Sequence, residues 1–267
     1  MKLRIAVSSP DAVFSALALK GAYEENFALV KEAGFDGAEL AVKNPADIDA
    51  ASLKSLLDKC KLEVPAIGTG RAFGEEGLSF SSPDEKIRHA AVARICGHVD
   101  LAAELNSLII IGLILGKNPV TPESERWAAE CLSECARYAG GKNVTLVVEP
   151  INRYETSFII TVEDCMRFLD RVGAGNCRIL LDTFHMNIEE ASIEESIRTA
   201  GARVAHVHVA DSNRRHPGAG HINFRSIIST LREIGYGGWL SAEILPHPAP
   251  ETAARETAEF LRKILSE

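Results

Sequence analysis

The chain reads as an α/β protein folded into one (β/α)8, or TIM, barrel that uses residues 1–267 as a single domain. Short runs rich in Val, Ile and Leu recur along it, longer segments with apolar residues at helical spacing lie between them, and glycines stand where those segments stop. Strand, helix, strand, repeated eight times at roughly 33 residues per unit, gives parallel strands joined by right-handed crossovers and closed into a barrel.

The expected strands are residues 3–8, 36–41, 63–68, 107–113, 144–149, 178–182, 203–209 and 239–244. Helical spacing runs through residues 12–34, 82–106 and 226–238, among others. Gly34, Gly173, Gly201 and Gly235 each fall just before the next strand, where a helix stop is expected. An open doubly wound sheet is the alternative, but it usually carries a glycine-rich phosphate loop after its first strand. Here that strand runs into SSPDAVF. The longest non-helical connection, GTGRAFGEEGLSFSSPDE after the third strand, is expected to be either a lid over the barrel mouth or a plain surface loop.

Composition narrows the function classes. Hydrophobic residues make up 46% of the chain and charged residues 25%, enough for a large core. The net charge of -8 and the lack of any basic run argue against nucleic acid and anionic membranes as partners. No apolar stretch is long enough to span a bilayer. The start, MKLRIAVSSPDAVF, lacks the apolar core of a signal peptide, so the expected location is cytoplasmic. Of the six cysteines, Cys131 and Cys135 sit four apart in a helical pattern. Without an accompanying His or second Cys pair they read as free thiols facing the core, not as a metal pair.

The chemistry is expected at the carboxyl ends of the strands, which form the active face of such a barrel. The fifth strand ends on Glu149, the sixth on Asp182, the seventh near His208 and the eighth near Glu243. Each follows an apolar run, where a charge is costly unless paired or coordinated. Period two places Val147 with Glu149, Leu180 with Asp182, and Ser241 with Glu243 on one face. Three carboxylates converging on one imidazole need a cation, and that oxygen-rich set suits Mn²⁺, Mg²⁺ or Co²⁺ better than structural zinc. His206 shares the parity of His208 one layer deeper and reads as a satisfied core or supporting histidine. His185 and Arg214 fall in the loops after the sixth and seventh strands as donors beside the metal, and Glu155 lies in another loop on the same side. Arg71 could meet an acidic substrate group, but a solvated loop arginine is the expected reading.

Four segments, EPINRYET, LLDTFHMNIEE, HVHVADSNRRHPGAGHINF and SAEIL, together resemble the xylose isomerase-like sugar epimerase family. That group includes D-tagatose 3-epimerase, hydroxypyruvate isomerase, inosose-handling enzymes and ketogluconate epimerases. The likeness is dense from about residue 144 to 245 and looser earlier, where GFDGAELAV and SSPDEKIRHAA also fit. It implies that Glu149, Asp182, His208 and Glu243 bind a divalent metal, Mn²⁺ first, with Glu149 and Glu243 as the acid/base pair. It implies that His185, Arg214 and Glu155 contact substrate oxygens, and that the protein forms homodimers or homotetramers. The sequence departs from the tagatose-epimerase pattern in its first strand, AVSSPD, which lacks that group's aromatic residues, and in IIIGLILG, which lacks a tryptophan. The identity of the ketose is therefore left open.

The expected activity is inversion of the carbon next to the carbonyl of a ketose or keto-sugar acid. One carboxylate removes the proton, a metal and nearby donors stabilise the developing charge, and the other carboxylate returns a proton. Aldose–ketose or hydroxypyruvate-type isomerisation and keto-inositol dehydration would use the same site. A metal-dependent nuclease would need extra histidines that the second to fourth strands lack, and a non-catalytic sugar-binding barrel would not need the paired carboxylates.

Overall fold

The computed structural model describes residues 1–117 and 120–267. Eight parallel strands form the barrel: β1 (Lys2–Ser8), β2 (Gly37–Ala41), β3 (Glu63–Gly68), β4 (Leu108–Ile111), β5 (Leu146–Val148), β6 (Cys177–Asp182), β7 (Val204–Val209) and β8 (Trp239–Ala242). They pair in chain order, and β1 closes the ring against β8 with Arg4 opposite Ser241. Closure requires a close approach at Gly37, where a Cβ would lie 2.4 Å from the Glu63 carbonyl oxygen, so only glycine fits.

The helices around the barrel carry the expected local signals. Among them, α2 (Ala50–Cys60) is capped by Asp49 and α4 (Glu85–Leu105) by Asp84, while α5 (Pro122–Gly141) and α6 (Val162–Val172) start with capping boxes on Thr121 and Thr161. Gly34, Gly173, Gly201 and Gly235 all take positive φ. The helices bury their apolar faces against the outward side chains of the strands in one continuous core, and Cys131 and Cys135 of α5 belong to it as free thiols.

Two segments differ from expectation. Residues 12–34 are not one helix: α1 is Tyr23–Glu32, and Leu19–Lys20 instead forms a two-residue strand beside Val7 and Ser8. Before it, Ala12 and Leu17 bury inward at the barrel mouth and cluster with Ala6 and Phe14, while Val13 stays exposed. The connection after β3 is packed, not bare. It contains the short helix α3 (Gly70–Glu76), Thr69 donates to the Ile110 carbonyl at 2.7 Å, and Phe80 is fully buried.

The barrel interior is divided. Ala66, Ile110, Val147 and Leu180 on β3 to β6 form an apolar plug. Arg4, Glu39, His206 and Ser241, on β1, β2, β7 and β8, form a buried polar layer on the other side. Above both, β5 ends one residue and β8 two residues earlier than expected, so Glu149 and Glu243 lie just past their ladders in the mouth.

Candidate active site

The apolar run of β5 carries the chain to Glu149, whose N–H still pairs with the Ile111 carbonyl at 3.0 Å. On β6, Asp182 doubles as the N-cap of helix α7 (Thr183–Glu189): its Oδ1 accepts from the Phe184 and His185 N–H groups at 2.7 and 3.2 Å. That cap leaves Oδ2 free to face His208. The Nδ1 of His208 lies 3.2 Å from Glu149 Oε1 and 3.6 Å from Asp182 Oδ2. All three of these atoms are buried, and none has a hydrogen-bond partner among the described residues. Their mutual spacing, within 4.8 Å, is that of ligands around one metal ion. A buried donor set of two carboxylates and one imidazole nitrogen fits a divalent cation, because leaving it unsatisfied would cost several kcal/mol, on the order of 1–3 per group.

Glu243 stands apart from this trio. Its Oε2 pairs with Arg214 Nη2 at 3.1 Å. Burial pushes its carboxyl up to about 8, assisted by the Glu149 and Asp182 carboxylates, against the pull of His208 and Arg214. Asp182 shows the reverse balance: burial raises it, but His185 and His208 hold it well below the usual carboxylate range.

Arg214 sits in the loop after β7 with φ of 58°, a left-handed backbone that costs a residue with a Cβ roughly 1–2 kcal/mol. The fully buried Asp211 holds that loop by accepting the N–H groups of Ser212, Gly218 and Ile222 at 2.8, 2.8 and 3.1 Å. The Arg214 carbonyl is fixed by the Leu245 N–H at 2.8 Å. The guanidinium carbon then lies 5.0 Å from the centre of the Phe14 ring and 4.8 Å from that of Phe184. Its other arm pairs with Glu155 Oε1 at 2.6 Å. These contacts together hold the strained backbone of Arg214 in place.

His185 lies in the first turn of α7, not in a loop as expected, because the Asp182 cap starts the helix at once. The buried Asn152 donates from Nδ2 to His185 Nδ1 at 2.7 Å and to Glu155 Oε1 at 3.1 Å. A ring that accepts at Nδ1 carries its proton at Nε2, so His185 offers a donor. Both His185 and Arg214 line a cavity of about 280 Å³ together with Glu149, Glu155, His208 and Glu243.

Arg71 is not the solvated loop arginine expected from the sequence. It is 6% exposed and lines the same cavity, but its guanidinium is taken up by Glu75, Asp11 and Ser9 at 2.7, 2.9 and 2.7 Å. Helix α3 turns it inward, which a reading of the segment as open loop could not foresee. His206 is buried below His208 and reaches Glu39 Oε2 at 2.8 Å. Burial and the adjacent Arg4 guanidinium push it down to about 3. Sequence reasoning missed Glu39, Asn152, Phe14, Phe184 and Asp211. The signals were present as a carboxylate inside the apolar run GAELAV and as the Asn of EPINRYET.

Comparison with known proteins bears on this geometry. The family described as xylose isomerase-like TIM barrel matches residues 27–264. The chain is 32% identical to the L-ribulose 3-epimerase of Mesorhizobium japonicum over 86% of its own length and 78% of that protein. It is 29% identical to the hydroxypyruvate isomerase of Escherichia coli over 86% of this chain and 90% of that one. Among solved structures, the D-psicose 3-epimerase of Clostridium cellulolyticum H10, determined with D-tagatose, superposes with a TM-score of 0.85 and 26% identity, covering 99% of both chains.

Proposed function

The chain belongs to the xylose isomerase-like TIM barrel family and is an enzyme of the epimerase/isomerase class; from that premise we propose a divalent-metal-dependent epimerase that inverts the carbon next to the carbonyl of an uncharged ketose. The observation that carries this reading is the convergence of Glu149 Oε1, Asp182 Oδ2 and His208 Nδ1, buried and without hydrogen-bond partners among the described residues. These residues, joined by Glu243, would hold the ion, with Mn²⁺ first and Mg²⁺ or Co²⁺ compatible. When bound, such an ion supplies Lewis acidity to a substrate carbonyl.

The side chains do the rest. Glu149 and Glu243 arise from the ends of β5 and β8, so a substrate held between them has a carboxylate available for taking a proton and another for returning one. Arg214 and the Nε2–H of His185 donate to substrate oxygens as negative charge develops on them. Glu155 and Asn152 hold those two donors in place.

The choice of an uncharged substrate over a keto-sugar acid rests on pairing. The two guanidinium groups that line the cavity are already committed, Arg71 to Glu75 and Asp11, and Arg214 to Glu155 and Glu243. A substrate carboxylate would have to share one of these already neutralised guanidinium groups, Arg214 keeping only its Nε–H unpartnered among the described residues. Aldose–ketose isomerisation is the second reading, favoured by the likeness to hydroxypyruvate isomerase. Incubation of the Mn²⁺-supplemented protein with ketopentoses, ketohexoses and keto-acids in D₂O decides between them. Epimerisation with two solvent-exchanging carboxylates places deuterium at the inverted carbon of a ketose. Product without deuterium there after many turnovers, or turnover of keto-acids alone, would overturn the proposal.

A further inference from the structure

We infer that Glu39 is the positioning residue for His208: it accepts the Nε2–H of that imidazole and so presents Nδ1 as the nitrogen that binds the metal ion. This rests on the metal reading above. The Oε1 of Glu39 lies 3.0 Å from His208 Nε2, while Nδ1 on the other edge of the ring faces Glu149 and Asp182. A neutral imidazole carries one proton, and the nitrogen that keeps it is the one with an acceptor. With a carboxylate on Nε2, the lone pair is left on Nδ1, and the acceptor's charge strengthens that nitrogen as a donor.

Glu39 is built into this role. It is 3% exposed, and its Oε2 is engaged by three other strands' side chains: His206 at 2.8 Å, Ser241 at 2.9 Å and Arg4 at 3.2 Å. The carboxylate cannot swing toward the Glu149 side of the ring without giving up all three. His206 also stacks edge-on to His208, with ring centres 5.0 Å apart and planes at 83°, which limits rotation of the imidazole. Glu39, His206 and His208 have the spacing of a second metal group, but the Arg4 guanidinium already lies against both Glu39 and His206. The buried cation of the lower layer is therefore an arginine. It balances the charge of Glu39 and leaves that carboxylate free to act on the ring above.

Two measurements on chelator-stripped full-length protein test this. Titration calorimetry with Mn²⁺ should show binding weakened roughly ten- to hundredfold in Glu39→Gln, the usual cost of altering such a supporting group. Nitrogen-15 NMR of histidine-labelled wild type loaded with Zn²⁺, a diamagnetic probe, should show His208 metal-bound at Nδ1 and carrying a slowly exchanging proton at Nε2. The NMR experiment needs no variant, so it stands even if Glu39→Gln folds poorly with Arg4 left unpaired. Metal bound at Nε2, or a folded Glu39→Gln that binds Mn²⁺ like wild type, would overturn the positioning role and leave the metal reading intact. Wild type that takes up no Mn²⁺ would overturn both.

Discussion

Gly112, one residue past β4, offers a perturbation whose size can be worked out in advance. A Cβ at this position would lie 2.9 Å from Glu149 Oε2 and 3.3 Å from Ile151 Cδ1. Ordinary contact begins at 3.4 Å, so Gly112→Ala must displace the Glu149 carboxylate by about half an ångström. The obstructed atom is the far end of a flexible side chain, so the fold should tolerate the change, with a melting temperature within a few degrees of wild type. The site should not. Constellations of this kind must be held to about 0.5 Å, and a misplacement of about 1 Å can cost on the order of a hundredfold. Gly112→Ala is therefore expected to weaken Mn²⁺ binding and lower kcat by about tenfold each, and Gly112→Val by more. Calorimetric titration with Mn²⁺, steady-state turnover of the preferred ketose and a thermal melt measure the three quantities. Unchanged metal affinity and turnover in a folded Gly112→Ala would refute the placement of Glu149 at the metal. A large fall in melting temperature with normal metal affinity would refute it equally.

Further outcomes follow from the same geometry. Chelation should lower the melting temperature and Mn²⁺ should restore it, since saturation at a hundred times Kd is worth about 2.7 kcal/mol; identical melts with and without metal would contradict a buried site. Arg214→Lys should cut kcat/KM by roughly a hundredfold with metal content retained, because an ammonium cannot span Glu155 and Glu243 while stacking between Phe14 and Phe184; loss of the metal in that variant would make Arg214 part of the metal centre instead. Asp211→Ala strips three backbone N–H groups of their acceptor and should loosen the loop that carries Arg214, lowering kcat with little change in Mn²⁺ affinity. Protection of the Ser212, Gly218 and Ile222 amides from hydrogen exchange should fall with it, and unchanged protection would count against that assignment.

The barrel and the residues at its mouth were legible in the linear sequence because both are encoded locally. Periodicity, helix caps and the glycine stops at Gly34, Gly173, Gly201 and Gly235 are properties of neighbouring residues, and the end of each apolar run identifies Glu149, Asp182, His208 and Glu243 as mouth residues. Where helical spacing misled, at residues 12–22, Ala12, Leu17 and Leu19 were burying against the end of β1, and spacing cannot tell which surface an apolar residue will meet. The second layer of the site was decided by closure of the barrel. Glu39 and His208 are separated by 169 residues and meet across the closed barrel, while Arg214 and Glu155, 59 residues apart, meet because the loops after β7 and β5 open onto the same mouth. Arg71 changed from an expected solvated side chain to a paired cavity wall for the same reason: Asp11, from another strand's loop, arrives beside it. Residue type and order specify which groups reach the mouth of the barrel; the partner that sets each group's charge, tautomer and reach comes from a distant strand, because a parallel barrel places side by side at its mouth residues far apart along the chain.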